Sequence, residues 1–199
     1  MTNMRKPFTA MMLITMAIIL FSFTIPSGWF KAGSAPKSYD MGVDLGAGKN
    51  GKNAATIKSN SRKIRGFGTL MQNCLPDKYL GKRVRMSGLL KTKDVSEWAG
   101  LWFRIDDHGI NKSIGFDNMK DGKVDRSVKG TNDWMSYDIV LDVPQSATNL
   151  AYGALLVGTG QIWFDEITFE IVDNSVPTTG KDKPETTMNK EPINLDFEK

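Results

Sequence analysis

Tyr137-Asp138-Ile139-Val140-Leu141-Asp142-Val143 decides the fold class. Apolar side chains fall on every second position, the spacing that sends Tyr137, Ile139, Leu141 and Val143 to one face of a strand and leaves Asp138 and Asp142 to water. Pro144 ends the strand, because it has no N–H to give to a ladder. Ala151 to Val157 follows as a small, apolar run suited to cover on both faces, and Gly158-Thr159-Gly160 predicts a turn. The next strand, Gln161 to Ile171, would place Trp163, Ile167, Phe169 and Ile171 on one face with Asp165 set inside that apolar row. From Thr131 to Val172 the chain therefore reads as three consecutive strands.

The same alternation recurs upstream. In Arg83 to Lys91, Val84, Met86 and Gly88 alternate with Arg83, Arg85 and Ser87, giving a core face and a cationic face. In Glu97 to Asp106, Leu101, Phe103 and Ile105 turn inward and leave Trp102, Arg104 and Asp106 on the opposite side. Asp107-His108-Gly109 is a hairpin turn, Ser113 to Asp117 a returning strand, and Lys120 to Lys123 a polar turn. Tyr39 to Asp44, Ala54 to Ser59 and Gly66 to Gln72 supply earlier strands. The Gly46 to Lys52 loop is glycine-rich, but a strand follows it where a phosphate-binding loop would open a helix, which argues against nucleotide binding. Short strands at this spacing, with no long amphipathic helix between them, predict an all-β antiparallel β-sandwich over residues 28–173.

The ends of the chain differ from this body. Arg5 and Lys6 precede Phe8 to Ile25, an uncharged and mostly apolar run that ends at Pro26-Ser27-Gly28. Its length predicts an N-terminal hydrophobic helix over 1–27, either a membrane anchor or a signal peptide. Positive charge on the N-terminal flank alone would send the rest across the membrane, so an extracytoplasmic location is expected. Residues 174–192 hold Pro, Thr, Lys and Glu with little to bury, and predict a disordered linker. Residues 193–199, INLDFEK, form a strand too short to stand without a partner edge.

The 199 residues are 24% charged and 40% apolar, with a net charge of +4 and one cysteine, Cys74. An internal disulfide is thereby excluded. No basic cluster with interleaved aromatics points to nucleic acid. With His108 as the single histidine, histidine-rich zinc sites are excluded.

The order Asp133-Trp134, Tyr137-Asp138, Leu141-Asp142-Val143-Pro144, Gly153 to Leu156, then Gly158-Thr159-Gly160-Gln161-Ile162-Trp163-Phe164-Asp165 resembles the C-terminal half of bacterial jelly rolls of the galactose-binding-like, carbohydrate-binding-module superfamily. The resemblance covers about Gly28 to Val172. It implies a jelly roll, but serves many functions. Modules resembling it also occur beside AraC-type helix-turn-helix transcription regulators, although no such DNA-binding motif is visible here. An Asn-x-x-Phe-Glu segment usually opens these domains just before Gly-Trp-Phe, here Gly28-Trp29-Phe30; in this chain Asn194 to Glu198 stands at the far end. That strand is expected to return to the opening position and complete the sandwich as a permuted jelly roll; the alternative is a strand donated to a neighbouring molecule or a truncated second module. The resemblance further implies a structural calcium ion between Asp165 and Glu198, since calcium favours several hard oxygen ligands.

Carbohydrate binding on such a sandwich uses flat aromatic faces rimmed by polar groups. Trp98, Trp102 and Trp134 are the candidate platforms, with Arg85, Arg104, Asp106 and Asp117 as polar partners. Trp29 and Trp163 are assigned to the core. Catalysis is not expected, because no spacing selects a carboxylate pair or completes a nucleophile site around His108. The expectation is a non-catalytic module for a carbohydrate or cell-surface glycan, tied to the membrane through its N-terminal segment. The alternative is a sensor or protein-interaction domain linked to transcription regulation.

Overall fold

The structure, a computed structural model, describes residues 23–108 and 112–181. Within those residues nine strands form one hydrogen-bonded sheet that folds into a sandwich-like pair of layers. They are β1 (Phe30–Ala32), β2 (Tyr39–Asp44), β3 (Ala54–Ser59), β4 (Phe67–Cys74), β5 (Lys82–Asp107), β6 (Ser113–Asp117), β7 (Val128–Val143), β8 (Ala147–Val157) and β9 (Gln161–Val172). Among the described residues there are two short 3-10 turns and no α-helix. None of their helices is long and apolar enough to cross a membrane. Residues 1–22, which carry most of the expected hydrophobic helix, and residues 193–199 lie outside the described residues.

The expected strands over Arg83 to Lys91 and Glu97 to Asp106 are one strand of 26 residues. Its first part pairs with β7 and β9, setting Met86 opposite Ile139 and Phe169. Its second part pairs with β8 and β6, setting Phe103 opposite Tyr152 and Asp117. Between them the register with β7 shifts repeatedly, and Asp94 adopts a left-handed conformation at φ 53°. Irregularities of this kind bend a strand and let it change layers. One layer therefore runs β1-β4-β8-β5-β6 and the other β7-β5-β9-β3-β2, with all pairings antiparallel.

The inward rows meet in one core. Leu101, Phe103 and Ile105 are fully buried, as are Val84, Met86 and Ile139. Rings join the layers across this core: Phe169 lies 4.7 Å from Tyr152 and 5.5 Å from Phe103, centroid to centroid. The alternation in β7 is as expected, with Ile139, Leu141 and Val143 buried and Asp138 and Asp142 outside. β8 is buried almost throughout, as its small apolar composition suggests.

β9 departs from simple alternation. Ile162 and Phe164 fill the core, so Trp163 and Asp165 face outward, where the indole Nε1–H of Trp163 donates to Asp44 at 2.7 Å. Glu166 then takes φ 53°, the register slips opposite Gly88, and Ile167 and Phe169 turn inward. Asp165 is consequently not inside an apolar face, and Ile171 is exposed. The bulge adds one residue, which reverses every later side chain.

The chain stays on the body past residue 174, where the linker was expected. Arg83 donates to the carbonyls of Asn174 and Val176, both at 2.7 Å, while its other edge holds Asp142 at 2.7 and 2.8 Å. Thr179 N–H donates to the Val140 carbonyl at 2.9 Å, and its hydroxyl accepts from Val140 N–H at 2.9 Å. Composition missed this docking because backbone groups make most of it.

Candidate functional site

The outer face of the β1-β4-β8-β5-β6 layer carries a cleft of about 690 Å³. Strand register builds it in rows. Phe30, Met71, Gly153 and Trp102 lie side by side on β1, β4, β8 and β5. Asn73, Ala151, Arg104 and Phe116 form a second row, and Phe67, Val157 and Trp98 a third. Met71, Trp102, Ala151 and Leu155 pack together here as a small apolar cluster separate from the main core.

β4 and β8 approach so closely that a Cβ at Gly153 would stand 2.3 Å from the Leu70 carbonyl oxygen. Only glycine fits, and no side chain then separates Met71 from Trp102. The Trp102 indole reaches back across β8 and donates its Nε1–H to Thr69 Oγ1 at 2.8 Å, while the Thr69 hydroxyl donates to the Ala154 carbonyl at 2.7 Å. With its donor satisfied and 6% of its surface exposed, Trp102 is the floor of the cleft. The aromatic surface open to a ligand belongs to half-buried Trp98, to Phe30 at 42% exposure and to Phe116 at 39%.

One wall is the turn after β6. Asn118 Oδ1 accepts the N–H groups of Lys120 and Asp121, at 3.1 and 2.7 Å, and its Nδ2 donates to Asp121 at 2.9 Å. Met119, at φ 68°, drives its side chain into the core, where its sulfur lies 3.2 Å from the Leu101 N–H. That plug holds the turn over Gly100, where a Cβ would meet the Asn118 carbonyl oxygen at 2.9 Å. Lys120 places its ammonium 5.5 Å from the Trp98 ring centroid.

The polar lining is sparse. Arg104 enters the cleft and pairs with Asp106 behind it at 3.0 Å; Asp106 is fully buried and also accepts from Asn149 Nδ2 at 2.8 Å. Asn73 Oδ1 is buried and has no hydrogen-bond partner among the described residues. A buried acceptor without a donor is costly, so a ligand group that donated to it would gain a favourable contact.

The expected site residues are thus divided. Trp98, Trp102 and Arg104 line the cleft, and Asp106 sits behind Arg104. Asp117 is fully buried beneath the wall, accepting from Arg126 at 2.6 Å and from Met119 N–H at 2.7 Å, which makes it a clamp on the turn. Arg85 lies on the other layer, 3.2 Å from Glu170 and 3.7 Å from Asp138. Trp134, half-buried on β7, is outside the cleft. Asp165 accepts from Glu166 N–H at 2.8 Å, and Glu198 lies outside the described residues. No group of three or more His, Cys, Asp or Glu is placed to hold a metal among the described residues.

Sequence reasoning missed Phe30, Phe116 and Asn73. In β4, Phe67, Thr69, Met71 and Asn73 share the cleft face while Leu70 fills the core, but both rows contain apolar residues, so alternation could not separate them. Phe116 is marked only by its register opposite Arg104.

Comparisons with known proteins bear on this fold. No family model matches the chain. It is 41% identical over 172 residues to the uncharacterized HTH-type transcriptional regulator YbfP of Bacillus subtilis (strain 168), covering 86% of this chain and 56% of that protein. The chain thus spans about half the length of this curated relative. The CBM22-1 and GH10 modules of Clostridium thermocellum xylanase 10B, complexed with xylohexaose, superpose with a TM-score of 0.52 at 15% identity, over 72% of this chain and 26% of that one. A Stig cyclase, Fisc, from Fischerella sp. TAU, in complex with an indole compound, gives 0.51 at 13% identity, over 76% and 88%. At such identities the likeness is one of fold.

Proposed function

We propose that this protein is a non-catalytic binding module, a jelly roll whose cleft takes carbohydrate. The observation that carries the proposal is the cleft itself: aromatic surfaces at Trp98, Phe30 and Phe116, with Asn73 in its lining and the Asn73 Oδ1 buried just beneath without a hydrogen-bond partner among the described residues. Pyranose rings present apolar C–H faces to aromatic side chains, and their hydroxyls can donate to an amide oxygen. Arg104 adds a fixed donor, because Asp106 holds its guanidinium from behind. The likeness to a xylanase crystallised with xylohexaose supports the ligand class. The absence of catalysis rests on the same geometry: Asp106 is sealed behind Arg104 and Asn149, and the Asp121 carboxylate is tied to Asn118.

A glycan array followed by calorimetry tests the proposal. The parent should bind one or more glycans, and Trp98→Ala combined with Phe116→Ala should weaken binding by about 1–3 kcal/mol, from two stacking contacts. Asn73→Ala should weaken it further without lowering the melting temperature, since the acceptor it removes has no partner among the described residues. Undiminished binding by the aromatic double variant would place the ligand elsewhere.

A second reading, a sensor domain working with a transcription regulator, is favoured by the name of the 41% identical relative. Under it, the cleft ligand would be the signal, and random duplex DNA at low salt should show no shift with this chain. Extracytoplasmic location and a calcium ion between Asp165 and Glu198 belong to the proposal as well. Protease accessibility in intact cells and a calcium titration by calorimetry test them respectively.

A further inference from the structure

The loop before β4, Ser61-Arg62-Lys63-Ile64-Arg65-Gly66, sets three exposed cations in a row. None of Arg62, Lys63 and Arg65 takes part in a salt bridge or side-chain hydrogen bond among the described residues, in contrast to Arg83, Arg85, Arg104 and Arg126. With Ser96, Glu97, Gly158 and Thr159 they border a second depression of about 630 Å³. Among the described residues Glu97 is the one carboxylate on it, so their charges leave the depression with a local positive excess.

This depression adjoins the end of the cleft. Arg65 is two residues from Phe67, Glu97 precedes Trp98, and Gly158 follows Val157, and those three neighbours form the end row of the cleft. The junction is fixed from below. The buried Tyr39 hydroxyl donates to the Gly158 carbonyl at 2.9 Å and lies 3.4 Å from the Gly66 carbonyl, tying the basic loop to the β8–β9 turn. Ser34 Oγ accepts from Phe67 N–H at 3.0 Å, and Ala35 N–H donates to the Phe67 carbonyl at 3.0 Å, which anchors the loop's exit.

We infer that the ligand is an acidic polysaccharide, whose sugar rings rest in the aromatic cleft while its carboxylates reach Arg62, Lys63 and Arg65 at the cleft's end. The inference rests on the carbohydrate reading of the cleft and extends it to the ligand's charge. Cations already paired with protein carboxylates would have little to offer a ligand; these three keep their charge available at the point where an extended chain leaves the cleft. Guanidinium groups suit carboxylates because they can bind both oxygens at once.

The test compares matched polymers by affinity electrophoresis and calorimetry: xylan with and without glucuronic acid side groups, and carboxymethyl against hydroxyethyl cellulose. The acidic member of at least one pair should bind about tenfold more tightly at 50 mM salt, with the advantage shrinking by 300 mM as exposed charges are screened. The triple variant Arg62→Gln, Lys63→Gln, Arg65→Gln should lose that advantage and keep its affinity for the neutral member. A charge-matched control, Lys49→Gln, Lys52→Gln, Lys129→Gln, should keep both affinities. Neutral and acidic polymers bound equally by the parent would overturn the inference and leave the carbohydrate reading standing. Binding of none of the four polymers would overturn both. Duplex DNA bound as tightly as the acidic polymers would replace the inference with nonspecific polyanion binding.

Discussion

Along β5, Arg83 and Arg85 and then Trp102 and Arg104 hold the outward face of a single strand, yet their surroundings differ. Around the first pair every charge is answered. Arg83 grips Asp142 and two carbonyls of residues 174–176, and Arg85 lies between Asp138 and Glu170. Around the second pair the protein builds a hollow, floors it with an indole whose N–H is already bonded, and leaves Asn73 Oδ1 without a donor among the described residues. Alternation therefore selects which residues face outward, whereas the neighbouring strands settle whether that face is filled or open.

The largest test of this contrast is Trp102→Ala. A ring covered to this degree should cost about 3–5 kcal/mol of stability on removal, read as a lowered denaturation midpoint. A variant that kept its stability and lost only ligand would break the assignment of Trp102 as a floor. A smaller effect is expected along the pH axis, at the joint between cleft and basic loop. Burial foremost, and then the nearby Glu97 charge, push the Tyr39 phenol up to about 12 from its ordinary 10. An unfolded chain loses this proton near pH 10, so the folded state binds more protons between 10 and 12. The resulting stability is fully present below pH 10 and is lost as pH rises through 12, by on the order of 2 kcal/mol. Tyr39→Phe should abolish this part of the slope, seen as a stability gap to the parent that narrows from pH 9 to pH 12. The smallest effect belongs to the filled face. Asp142→Asn breaks an ion pair whose carboxylate is 56% exposed, so it should cost no more than about 1 kcal/mol in urea melts, with less difference at high salt. A larger loss would mean that docking of residues 174–181 depends on that pair.

Much of the all-β architecture was legible. The β7 rows, the double burial of β8, the core face Leu101, Phe103 and Ile105, and the strand at Ala54–Ser59 after the glycine-rich loop all follow from a period of two. The site was legible in part. Trp98, Trp102 and Arg104 share the cleft because they lie on one strand with a readable period. Phe30, Asn73 and Phe116 come from three other strands, and their meeting depends on register, which local pattern does not encode. Arg85 shares polarity and outward spacing with Arg104, and only its partners show that it is a surface pair; Asp117 is polar but lies opposite inward Phe103, where Arg126 and the Met119 N–H make it a clamp.

Local pattern was enough to say that this chain makes antiparallel strands and, where no bulge interrupts the period, which side chains leave the core, because side-chain direction along a regular strand is a local property. Tertiary structure decided the rest. The bend in β5, the bulge at Glu166 and the close approach at Gly153 set which strands become neighbours. A cleft is made by side chains on neighbouring strands, so its lining was fixed only when those strands paired.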